Sequence, residues 1–153
     1  MKIKNIIICK LDNFTEIHSN FLLDIYYKHN YKTDSITGNK TLEEFVSIYQ
    51  SNKRISKGSI FYKAENFKRE LIGIIEIDKN HLTLLYIKGN NQHQGIGSFC
   101  IEELKSKLQF YSEITVCASP YSLPFYMKNG FKKIKPEIQE VKEINYFYMK
   151  LEL

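Results

Sequence analysis

The chain has 153 residues, 43% of them apolar and 25% charged. Those proportions fit one globular domain and argue against a disordered chain, a disulfide-stapled miniprotein or a multidomain assembly. Lys plus Arg number 22 against 17 for Asp plus Glu, and the net charge of +5 favours anionic partners, nucleic acid, anionic lipid or a phosphorylated cofactor. The lysines are scattered, however. Their densest group, Lys132, Lys133 and Lys135, is followed by Glu137, Glu140 and Glu143.

Apolar runs are short: Ile6 to Cys9, and Leu71 to Ile77 with Gly73 and Glu76 inside. Neither approaches the ~20 residues of a membrane span, and the stretch after Lys2 and Lys4 is too short for a secretory signal. The expectation is a soluble, cytoplasmic, single domain over residues 1–153. Cys9, Cys100 and Cys117 are odd in number and widely spaced, which gives neither a disulfide framework nor a metal site. All three lie in apolar segments and read as buried free thiols.

In chain order, Met1 to Leu11 reads as a strand around Ile3 to Cys9. From Phe14 to Asn30, Ile17, Phe21, Leu22, Ile25 and Tyr26 recur at helical spacing, with Asn13 or Thr15 as cap. Tyr31 to Lys40 is a polar loop. Thr41-Leu42-Glu43-Glu44 is a capping box, and the helix it opens puts Leu42, Phe45, Val46 and Tyr49 on one face. Three strands follow, Ser59 to Ala64, Leu71 to Asp78 and His81 to Lys88, the last two an antiparallel hairpin turning at Asp78-Lys79-Asn80. A helix runs from about Gly97 to Phe110, with Ile101, Leu104 and Leu108 inward. Glu113 to Ala118 is a strand. A short helix from Ser122 to Asn129 carries Pro124 in its first turn and ends at Asn129-Gly130. Phe131 to Ile134 and Ile144 to Leu151 form a closing pair of strands. This order makes a mixed α/β domain on one sheet.

Gln92-His93-Gln94-Gly95-Ile96-Gly97-Ser98 lies between an apolar strand and an amphipathic helix. A glycine-containing loop there makes an anion cradle. Glycine lets main chain approach a ligand, and the first-turn N–H groups have no helical partner. This is no Walker loop, because no Gly-Lys-Ser/Thr follows. It is a poor dinucleotide fingerprint, because Cys100 stands where the third glycine belongs. Taken alone, the segment leaves a plain turn with two convenient glycines equally open.

Three segments read together change that balance: Leu84-Leu85-Tyr86-Ile87, then Q-x-x-G-x-G at Gln92 to Gly97, then Pro124-Phe125-Tyr126-Met127-Lys128-Asn129-Gly130-Phe131. In order and spacing they resemble the GNAT superfamily of N-acetyltransferases, whose acetyl-CoA diphosphate motif is R/Q-x-x-G-x-G/A and whose later segment is F-Y-x-x-x-G-F. The motifs cover about residues 71 to 131. This sequence departs from the pattern at Gly89, where many members have proline, at Ser119, where asparagine is common, and at Ser122, where alanine is frequent.

The resemblance implies a mixed, mostly antiparallel sheet of about six to seven strands, flanked by about four helices and splayed at its middle strands. It implies acetyl-CoA as acyl donor, an amine as partner and no metal. Homodimers occur in the family, which leaves that state open. Main-chain groups of Leu85, Tyr86 and Ile87 would pair with the pantetheine arm, the Ile87 N–H donating to the thioester carbonyl. The loop from Gln92 through His93, Gln94, Gly95, Ile96 and Gly97 to Ser98 would hold the diphosphate, with Ser119 and Ser122 as further contacts. Tyr126 corresponds to the tyrosine that protonates the departing thiolate.

A primary amine of pKa ~10.4 is neutral about once in 2500 molecules at pH 7, so the reaction needs a base, a water chain or a pocket that lowers that pKa. Histone-acetylating members place a glutamate base about where His81 stands, and Glu76 across the hairpin competes with it. His18, His29 and His93 have no ligand spacing and read as exposed. The transfer expected is direct, in a ternary complex, to an unidentified small molecule or peptide. The acceptor would be gripped by the first two helices, the loop from Tyr31 to Lys40 and the last strands, where Glu16, Asp24, Glu43 and Glu44 could attract a cation. A non-catalytic acyl-CoA-binding regulatory module is the alternative. Nucleic-acid and membrane binding are not expected, for want of a clustered basic stripe and of an apolar span.

Overall fold

The computed structural model describes residues 5–29, 42–141 and 144–153. The chain runs β1 (Ile7–Leu11), α1 (Glu16–His29), α2 (Leu42–Phe45), α3 (Ile48–Ser56), β2 (Ile60–Glu65), β3 (Leu71–Asp78) and β4 (His81–Ile87). It continues through α4 (Ile96–Lys107), β5 (Glu113–Ala118), α5 (Leu123–Lys128), β6 (Lys132–Lys133), β7 (Gln139–Val141) and β8 (Ile144–Glu152). The strands make one sheet in the order β1-β2-β3-β4-β5-β8-β6, with β7 also on β8. Every pairing is antiparallel except β4 with β5. This is the mixed, largely antiparallel fold expected, with eight strands and five helices among the described residues.

Two apolar clusters cover the sheet's two faces, as the period of two along each strand requires. Leu22 and Phe45 from the early helices, and Val46 from the turn after α2, pack on Phe61, Ile74 and Leu84. Ile101, Leu104 and Tyr126 from α4 and α5 pack on Ile75, Ile77, Leu82, Ile114 and Met149.

Several expectations need correction. The predicted helix after Glu44 breaks at Phe45, because Ser47 takes extended backbone and its hydroxyl accepts from the Gln50 N–H at 3.2 Å, capping a new helix. The break rotates Tyr49 out of the Phe45 face, leaving it 70% exposed. Ile17 is likewise exposed, on the solvent side of α1. The capping Thr41 and the loop from Tyr31 to Lys40 lie outside the described residues. Of the cysteines, Cys100 is buried, its thiol pushed up to about 12 by burial and by the nearby Glu103 carboxylate, whereas Cys9 is half-buried and Cys117 exposed. His18 is not a free surface group: its Nδ1 lies 3.0 Å from the Thr15 N–H that it accepts, and its ring packs on Phe14.

Glu76 is fully buried and forked onto Arg54, with Nε to Oε2 at 2.8 Å and Nη2 to Oε1 at 3.0 Å. The same guanidinium donates to the Phe45 carbonyl at 2.7 Å and stacks 3.7 Å above the Phe45 ring. One arginine thus ties α3 to β3 and satisfies the end of α2.

Candidate active site

The site is built where β4 and β5 part. At the hairpin tip the Asn80 amide donates to the Glu113 carbonyl at 3.1 Å, the Thr115 N–H donates to the Asn80 carbonyl at 3.0 Å, and the His81 Nδ1 lies 2.7 Å from the Thr115 hydroxyl. The parallel register holds for His81↔Thr115 and Leu82↔Val116 and then stops. Next on β4 comes a bulge. Glu76 opposes Leu84 while Ile77 opposes Leu82, so Thr83 is an extra residue that bends the strand away. Beyond it the strands diverge around a cleft of about 620 Å³. The splay expected between the middle strands is present, and its cause is a pinned tip followed by a bulge.

β4 supplies one wall as main chain. The Lys88 N–H donates to the Ile72 carbonyl at 2.8 Å. In an antiparallel ladder the groups that face a given neighbour alternate. The N–H and C=O of Leu85 and Ile87 therefore turn from β3 toward the gap, and those of Tyr86 toward β3. The Ile87 carbonyl is taken by the Gln92 side chain, whose amide donates to it at 2.9 Å. Gln92 thus braces the loop, a role that the motif alone does not reveal.

The loop then turns sharply. His93 has φ 61° and Gly95 φ 81°. Gly95 is the N-cap of α4 in the left-handed region, where a side chain would be strained. The first intrahelical bond runs from the Phe99 N–H to the Gly95 carbonyl. The N–H groups of Ile96, Gly97 and Ser98 precede it and have no partner within the helix. Gly95, Gly97 and Ser98 line the cleft, and no carboxylate occupies the helix's first turn. Gly97 also has a use in packing. A Cβ there would meet the Phe125 ring at 2.9 Å, so its bareness lets α5 pack against the start of α4.

The opposite wall comes from β5 and α5. Ser119 and Ser122 line it with hydroxyl oxygens 2.8 Å apart, and the Ser122 N–H donates to the Ser119 hydroxyl at 3.0 Å. Tyr126 is buried with 7% exposure, wedged edge-on between Phe125 and Phe131 at 5.0 and 5.2 Å, and it reaches the cleft lining. Of the expected residues, Leu85, Tyr86, Ile87, Gln92, His93, Gly95, Gly97, Ser98, Ser119, Ser122 and Tyr126 meet at this one cleft. Gln94 is exposed beside it, and Ile96 is buried beneath.

His81 and Glu76 do not meet there. His81 sits at the pinned end of β4, six residues from Ile87, or roughly 20 Å along a strand. Both oxygens of Glu76 are committed to Arg54. Neither lines the cleft, although Leu82 and Thr83, next to His81, do. Thr83, Cys117, Tyr121, Phe125 and Lys128 line the cleft and were not singled out as site residues from the sequence. Phe125 and Lys128 lie inside the Phe125-Tyr126 motif, which is the one signal for them. Among the described residues no cluster of His, Cys, Asp or Glu could hold a metal ion, and no helix is long and apolar enough to cross a membrane.

His81 is held below the usual imidazole range by burial, against the opposing pull of Asp78, and His18 by burial and Lys63. A histidine with a lowered folded pKa binds fewer protons folded than unfolded. Stability is therefore full above the unfolded pKa of ~6.5 and falls as pH drops through it. Urea midpoints measured from pH 7.5 to 5.5 should decline, and His81→Gln should flatten the decline. A flat wild-type profile would contradict this.

An antiparallel sheet parted at one parallel pair, with a helix start facing the gap, leaves room for an extended ligand between strands. The comparisons agree. The acetyltransferase (GNAT) domain family matches residues 21–153. Among solved structures, a GCN5-related N-acetyltransferase from Rhodopseudomonas palustris is 14% identical with a TM-score of 0.74, over 100% of this chain and 99% of that one. A GNAT acetyltransferase from Elizabethkingia anophelis with acetyl-CoA bound is 20% identical, TM-score 0.63, over 98% and 99%. Spermidine N-acetyltransferase from Vibrio cholerae in complex with CoA and spermine is 15% identical, TM-score 0.70, over 97% and 95%. A search of curated proteins finds no match. The chain belongs to the GNAT family of acetyltransferases and is an acyltransferase by class.

Proposed function

We propose that this protein transfers the acetyl group of acetyl-CoA to a primary amine by direct attack, as a single domain over residues 1–153. The observation that carries the reading is the β4–β5 cleft: a gap lined by turned-out main chain along β4 and closed at its mouth by the start of α4.

The residues present fit the donor. The N–H groups of Ile96, Gly97 and Ser98 suit a diphosphate, which a helix N-terminus also attracts by charge. The Ser98 hydroxyl adds a donor. Main chain at Leu85 and Ile87 suits an amide-bearing pantetheine arm, paired as an added strand would be. An acetyl thioester, when bound, supplies an activated carbonyl and a thiolate leaving group. The Ile87 N–H, turned to the gap, stabilises negative charge on that carbonyl oxygen. Tyr126 donates its phenolic proton to the leaving sulfur, a neutral phenol at pH 7 being a competent acid. With Glu76 committed to Arg54 and His81 held at Thr115, the amine's proton leaves through water, or the amine enters neutral because the pocket lowers its pKa.

The acceptor is an amine-bearing small molecule or peptide. A polyamine heads the candidates, because a structural relative holds spermine. Thiol release from acetyl-CoA, followed over a panel of polyamines, amino acids, aminoglycosides and peptides, tests the proposal. Turnover with at least one amine is expected. Acetyl-CoA uptake without turnover on any would instead assign a non-catalytic acyl-CoA-binding module, and no uptake would remove both readings.

A further inference from the structure

We infer that Lys128 is the counter-charge for the ribose-bound phosphate of the acyl donor, and so sets the preference for CoA over its dephosphorylated form. This deepens the proposed use of the β4–β5 cleft and rests on it.

The argument begins with charge. The cleft is lined by aliphatic and aromatic side chains, hydroxyls, a thiol, an amide and main chain. Of its lining residues Lys128 alone is a lysine, arginine, aspartate or glutamate. No ion pair engages it among the described residues, and its side chain is exposed. His93, the other lining residue able to carry positive charge, is exposed in the loop before α4. A diphosphate is met by the N–H groups at the start of α4. A phosphate monoester carries about −1.5 to −2 at pH 7, more than polar groups alone readily hold.

Position agrees with charge. The Phe125 ring packs against Gly97, in the first turn of α4. Lys128 follows Phe125 by three residues on α5, hence on the same helix face one turn on. The lysine stem therefore starts beside the diphosphate cradle, on the cleft side. The monophosphate sits on the same nucleotide as the diphosphate, outside the buried thioester arm. A flexible ammonium at the rim reaches such a group as a point charge.

Calorimetry on the full chain at pH 8 with CoA and with 3′-dephospho-CoA tests this, using wild type, Lys128→Met and Lys128→Arg. Wild type should bind CoA about tenfold tighter than 3′-dephospho-CoA, the size expected for one charge-assisted hydrogen bond. Lys128→Met should lose that ratio and bind both forms alike, with a shallower salt dependence, while Lys128→Arg keeps it. Lys128 is exposed, so both variants should melt with wild type. Equal binding of the two ligands by wild type, or a ratio unchanged in Lys128→Met, would overturn the assignment and leave the cleft's function standing. Binding of neither ligand by wild type would overturn the reading of the cleft itself.

Discussion

Tyr126→Phe is expected to lower kcat for acetyl transfer by about 10²-fold while leaving the KM for acetyl-CoA within about twofold. The ring stays because its two edge-on contacts, with Phe125 and Phe131, need no hydroxyl. The variant should therefore fold. General acids contribute roughly 10² to 10⁴ in rate. The lower end applies here, because a thiol of pKa ~8.5 already leaves readily as thiolate. On the proposed mechanism the loss falls on kcat, because the proton would move to sulfur only as the C–S bond breaks, whereas the donor's phosphates and pantetheine arm would be held elsewhere along the cleft. Steady-state kinetics at saturating amine measures both constants. An unchanged kcat would remove Tyr126 as the acid. A kcat loss matched by a lower melting temperature would make it a packing residue.

That the place of Tyr126 at the cleft was legible in the sequence, and the surroundings of His81 and Glu76 were not, has a physical explanation. β3 and β5 were read to the residue, as Leu71–Asp78 and Glu113–Ala118, because apolar runs there end in turn-forming or charged residues. The glycine loop and the Phe125-Tyr126 segment were legible because local geometry fixes their residue types: Gly95 needs positive φ, and Gly97 leaves room for an aromatic ring. Partners distant in sequence carry no such mark. A glutamate inside an apolar strand looks the same whether it awaits a substrate proton or an arginine. Arg54 stands 22 positions earlier, on a helix whose start was itself misplaced because Ser47 recaps the chain. His81 is similar: its neighbour Thr115 lies 34 positions on, across the parallel pairing of β4 with β5. β7 escaped notice because Gln139–Val141 is too short to show alternation.

The buried ion pair makes the second large effect. Glu76→Gln is expected to destabilise the protein by about 3–5 kcal/mol, the range found when one partner of a buried pair is removed. The carboxylate is fully buried while Arg54 is 21% exposed, so the arginine retains some access to water and the lower half of that range applies. For a domain of this size each kcal/mol moves the melting temperature by roughly 2–4 °C, which predicts a drop of about 10 °C. The damage should reach α2 as well as α3, because the same guanidinium donates to the Phe45 carbonyl and stacks on its ring. Replacing both partners with methionine removes the charges together and should restore most of the stability, since an apolar pair of similar volume is often neutral or better. Well below the melting temperature, the folded Glu76→Gln protein should turn over near the wild-type rate, because both oxygens serve Arg54 and Glu76 is absent from the cleft lining. Differential scanning calorimetry and kcat measured on the same preparations separate the two roles. A variant that melts with wild type yet loses kcat a hundredfold would return Glu76 to the position of general base and refute the structural role argued for it.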